Sequence, residues 1–166
     1  MISSRIMAFL AVVIFFLLQI FFVSLGFPFN PPFLFIVAVH YALSEGPIFG
    51  VWIGVLCGLI QEPLVLGRFG GESIALSLAA YGCSRVSGPF FGDSFFSRFV
   101  LPTTAFFFYT GIRMLWHRYA AYSEPPSFEI PTTWFWEALS VFMLAPAFFS
   151  TMDRLTQRPA QRRERV

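Results

Sequence analysis

Arg113 and Glu137 are opposite charges inside two apolar stretches of a chain in which only 12% of residues are charged. A charged group at the centre of a bilayer costs about 3 kcal/mol or more, so an ionisable residue in a spanning segment calls for a reason. Arg113 falls three residues before the end of an apolar segment at 99–116, and Glu137 three residues after the start of the next, at 134–150. The two should therefore share a depth on consecutive helices, and the spacing predicts an ion pair that staples one end of a bundle.

Other ionisable groups in or beside apolar segments are His40, Glu45, Glu62, Glu72 and Arg85. His40 reads as a satisfied or snorkelling histidine rather than a proton relay. Arg85 either pairs with Glu45 or extends alone to the membrane surface. No catalytic set is visible. Gly67–Gly71 (GRFGG) has neither the spacing nor the Lys-Ser/Thr of a phosphate loop, and no His-Glu-x-x-His occurs. His40 and His117 are expected on opposite sides of a membrane, so they cannot share a metal. Cys57 and Cys83 lie in apolar segments and read as small packing residues, not a disulfide. No enzyme activity, metal or other cofactor is expected.

The elements that position these residues are apolar. The chain has 166 residues, 57% of them hydrophobic, with 24 phenylalanines and a net charge of +2. A soluble domain carries about twice this charged fraction, and so small a net charge gives no case for nucleic acid. Six apolar segments are found, at 6–25, 31–43, 47–61, 73–91, 99–116 and 134–150, within one transmembrane domain, 1–152, followed by a basic tail, 153–166. The first is too long for a signal-peptide core and lacks a small-x-small cleavage site, so it reads as a spanning helix. The second and third are short for a hydrocarbon core that takes about 20 residues. Ser44–Pro47 between them is a strong turn signal, so 31–61 is either two short helices or one kinked helix.

Arginine counts favour two helices. All 11 basic residues are arginine. With six spans, Arg5, Arg98, Arg154, Arg158, Arg162, Arg163 and Arg165 share one side, against Arg68 and Arg118 on the other. The positive-inside rule then puts both termini in the cytoplasm. The loop 117–133 is flanked by tryptophans and tyrosines that suit an interfacial belt. The tail from Gln157 is expected to be disordered beside anionic lipid.

Gly46, Gly50, Gly54 and Gly58 recur every four residues through the third segment. Glycine costs a helix interior about 1 kcal/mol relative to alanine. In a membrane, small residues in register allow close helix–helix approach. Ser73, Ser77, Ala80 and Ser84 make a matching small face on the fourth segment. The expected architecture is an all-α integral membrane bundle of six transmembrane helices in which these two faces pack.

The stretch Ala42–Tyr81, ALSEGPIFGVWIGVLCGLIQEPLVLGRFGGESIALSLAAY, resembles the MreD family of bacterial rod-shape-determining membrane proteins. Ala42, Leu43, Gly46, Pro47, Gly50, Gly54, Gly58 and Leu59 fall in its pattern. Glu62 stands where the family usually has Asp, Gly70 holds its loop-glycine position, and Tyr81 closes the pattern without a gap. Pro31-Pro32 upstream also suits the family. The resemblance implies a non-enzymatic scaffold of the cell-elongation machinery in the bacterial inner membrane. Its implied partner is the bitopic protein MreC, with indirect links to MreB, RodA and a class B penicillin-binding transpeptidase.

The competing class is the substrate-binding S-component of an energy-coupling-factor vitamin transporter, to which MreD-like proteins look distantly similar in fold. Its Ala-x-x-x-Ala coupling motif is not matched by Ala8 and Ala11, which stand at the wrong spacing. In that class Glu62, Glu72, Trp134 and Trp136 would serve as ligand-binding groups.

Overall fold

A computed structural model describes residues 2–26, 31–64, 70–90, 95–120 and 133–161. Among these, six α-helices and one 3₁₀ turn form the chain and no strand occurs: α1 (Ile2–Ser24), α2 (Phe33–Glu45), α3 (Pro47–Gln61), the 3₁₀ turn Glu62–Leu64, α4 (Gly71–Phe90), α5 (Phe95–Ala120) and α6 (Thr133–Gln161). Among the described residues, three stretches are long and apolar enough to cross a membrane: Ile6–Ser24, Pro47–Leu64 and Phe135–Met152. α2 is a shorter apolar helix.

Residues 31–61 form two helices, and Gly46 is the reason. Its φ of 98° lies in the left-handed region, where a side chain is strained. Gly46 ends α2 and precedes Pro47, whose fixed φ suits the first position of α3.

α2 is the centre of the bundle. Every residue from Phe33 to Ala42 is buried, and α2 touches each of the other five helices. At 1.5 Å per residue its 13 residues reach about 20 Å, less than the hydrocarbon thickness. Lined by protein on all sides, it need not match the bilayer alone. Phe35 packs on Phe106 and Tyr109 of α5. His40 lies against Phe148 and Phe149 of α6.

α1 is largely exposed. It packs on α2 through Ala8, Ala11, Val12 and Phe15, the spacing of one helical face. Its opposite face, with Phe9, Leu17 and Phe21, is exposed. The apolar stretch of α6 ends at Met152, and the helix itself runs on to Gln161, through much of the expected tail. Arg68, most of the loop 117–133, residues 162–166 and the side chains of Arg5, Arg98, His117 and Trp134 lie outside the described residues.

Candidate functional site

The α3–α4 contact is the most extensive between any two helices, and glycines make it possible. A Cβ on Gly54 would stand 2.8 Å from Ser77 Cα. A Cβ on Gly58 would fall closer still, onto the backbone of Ser73 and Glu72. The glycine strip does not stay on α4. Residues four apart on an α-helix are rotated by about 40°, so Gly50 turns away and meets Ala42 of α2 instead. Gly46 is corrected from packing residue to turn residue: nothing lies within 4 Å of its Cβ position. On α4, Ser73 and Ala80 are buried and Ser77 and Ser84 are half-buried.

This close approach delivers Glu62 to the start of α4. Glu62 Oε1 accepts the backbone N–H of Gly70 (2.8 Å), the hydroxyl of Ser73 (2.9 Å) and the backbone N–H of Ser73 (3.4 Å). A helix start leaves N–H groups without intrahelical partners and carries partial positive charge. The carboxylate answers both needs. Gly70, at φ 95°, makes the turn that presents its N–H. The acidic position and the loop glycine eight residues on are therefore two halves of one device, which closes the α3–α4 hairpin.

A second polar group lies one residue along α4. Arg113 Nε of α5 is 3.0 Å from Glu72 Oε1, and the Tyr109 hydroxyl donates to Glu72 Oε2. The expected partner of Arg113 was Glu137; the carboxylate at ion-pair distance is that of Glu72. Glu137 on α6 remains an electrostatic neighbour of both. α4 and α6 both flank α5, and a shared level on consecutive helices does not choose between them. The missed signal was the place of Glu72 at the start of α4, level with Arg113 at the far end of α5.

Trp116 completes this end. A Cβ on Gly71 would run into its indole, with Nε1 2.7 Å away. Gly71 is thus where the α5 ring rests on the first turn of α4. Glu62, Gly70, Glu72, Ser73, Tyr109, Arg113 and Trp116 therefore form one polar end of the bundle.

The remaining residues stand apart. Arg85 folds back on its own helix, with Nε 3.2 Å from the Tyr81 hydroxyl and the guanidinium 5.5 Å from the ring centroid. Cys57 and Cys83 are buried free thiols. Among the described residues no His/Cys/Asp/Glu group could hold a metal.

Apolar helices around a buried central helix, with polar side chains spent on capping and pairing at one end, define a helical membrane protein. The family model for the rod shape-determining protein MreD matches residues 3–155, and the chain belongs to that family. Its role is accordingly in determining rod shape. No curated protein and no solved structure matches the chain.

Proposed function

We propose that this chain is a non-enzymatic scaffold of the cell-elongation complex in the bacterial inner membrane. Its direct partner is an MreC-like bitopic protein, and through it the chain helps organise peptidoglycan synthesis by RodA and a class B penicillin-binding transpeptidase near MreB filaments. In this reading six helices cross the membrane, with both termini in the cytoplasm. The family match over residues 3–155 carries the proposal.

The physical support is the use to which the polar residues are put. Glu62 and Glu72 hold helices together, which is the work of a rigid frame. With little mass outside the helices, such a chain meets partners through helix surfaces, short loops and its basic end. The test is depletion of the protein in its host. Rod-to-sphere conversion, reversed by the wild-type chain and not by Gly58→Leu, is expected. Unchanged cell shape after depletion overturns the proposal.

A further inference from the structure

The outward face of α4 carries a graded row of exposed side chains. Ile74, Leu78, Tyr81 and Arg85 stand three or four residues apart, which puts them on one helix face, and all four are exposed. The row passes from two aliphatic side chains to a phenol and then to a guanidinium.

The α3–α4 register sets the depth of that row. The two helices run antiparallel, with Ser73 against Gly58 and Ser77 against Gly54. Arg85, eight residues beyond Ser77, therefore comes level with Gly46, eight residues before Gly54. Gly46 adjoins Pro47, where the apolar stretch Pro47–Leu64 begins. Arg85 is thus at the edge of the hydrocarbon, and Ile74 lies about 16 Å deeper along the helix. That distance is close to one leaflet of a core about 30 Å thick.

Arg85 is also held in place. Its Nε lies 3.2 Å from the Tyr81 hydroxyl, and its guanidinium carbon lies 5.5 Å from the Tyr81 ring centroid. A guanidinium fixed in this way presents its remaining N–H groups as a fork that suits two oxygens of a phosphate. Beside the row Gly82 has no side chain, and the exposed Phe108 ring of α5 stands 4.0 Å from its Cβ position. An apolar chain fits against the helix there.

We propose that this face of α4 binds one anionic phospholipid. Arg85 takes the phosphate, the Tyr81 hydroxyl donates to a phosphate or glycerol-ester oxygen, and an acyl chain runs past Phe108 along Leu78 to Ile74. Guanidinium, phenol and aliphatic side chains follow one another as phosphate, ester and acyl chain do in the lipid. That order, over the depth of one leaflet, selects a lipid rather than a partner's helix. A net negative headgroup is preferred, because a choline headgroup brings its own cation to the phosphate. The site rests on α4 crossing the bilayer, as in the six-span reading above, and on no protein partner.

The test is native mass spectrometry of the full chain in mild detergent, titrated with phosphatidylglycerol or with phosphatidylcholine of the same acyl chains. The first phosphatidylglycerol should bind about tenfold more tightly than phosphatidylcholine, as a charge-assisted contact provides, and should raise Tm by several degrees. Arg85→Gln should lose both the preference and the Tm gain, while its Tm without added lipid stays that of the wild type. Tyr81→Phe, which keeps the ring, should weaken binding a few-fold, and Arg158→Gln, at the basic end of α6, should leave it unchanged. In native membranes a photoreactive phenylalanine derivative at Leu78 should cross-link to phospholipid. Equal binding of the two lipids, wild-type binding by Arg85→Gln, or cross-linking from Leu78 to a partner's helix would overturn the site. The titration uses the isolated chain, so its failure is distinct from failure of the scaffold reading, which depletion tests.

Discussion

Glu62 shows how one carboxylate can serve a fold without doing chemistry. Its Oε1 ties Gly70 and Ser73 across the α3–α4 turn. Hydrogen bonds to a charged group contribute about 1.5–3 kcal/mol. Glu62→Ala should therefore lower unfolding stability in detergent by about that amount, and Glu62→Gln by less than half of it. Equal losses in the two variants would mean that the cap is not what Glu62 supplies. The Glu72–Arg113 pair gives a second comparison. Removing one partner of a buried pair costs about 3–5 kcal/mol, because a charge is stranded. Glu72→Ala should cost more than Glu137→Ala, and adding Arg113→Ala to Glu72→Ala should recover part of the loss, as measured by a double-mutant cycle in chemical unfolding. Sequence marked Arg113 as paired because an isolated charge in an apolar stretch must be. It could not name Glu72, since the choice of neighbour depends on the rotation of three helices about their axes.

Among the elements, the α3–α4 pair was the most readable. Small residues at fixed spacing on neighbouring segments left few ways to bury both faces, and Gly54 and Gly58 do lie on Ser77 and Ser73. What the spacing concealed was the slow rotation of the strip, which hands Gly50 to α2 and leaves Gly46 to the turn. A graded series follows. Gly58→Ala should be more damaging than Gly54→Ala, since its Cβ would overlap backbone that cannot swing away. Gly111, on α5, has nothing within 4 Å. Gly111→Ala should be neutral or stabilising by up to about 1 kcal/mol. Thermal unfolding of the three variants in one detergent checks the order; a Gly111→Ala loss as large as that of Gly58→Ala would contradict it.

For the whole molecule, the hidden fact was the centrality of α2. Apart from His40, the run from Phe33 to Leu43 has no charged or strongly polar residue and carries no face to orient it. Read alone, the segment is merely too short to span. Once α3 and α4 pack tightly and α5 and α6 close round, the uniform run becomes the natural core. The end of α6 was equally unreadable, because a polar, arginine-rich composition is compatible with helix as well as with a loose tail. The six-span topology is tested by placing single cysteines at Ser3 and Gln161 and labelling intact cells with a membrane-impermeant thiol reagent. Cys57 and Cys83 are buried and should stay silent. Both sites should be protected until the membrane is opened; labelling of either from outside would contradict the topology.

The most direct measurement of the proposed role is mild-detergent purification of the tagged chain from its native membrane, with identification of what accompanies it. An MreC-like protein recovered in stable ratio, together with wall-synthesis enzymes, is the predicted result. Recovery instead of a transmembrane coupling subunit with paired ATPases would contradict it and make the polar end a transport site.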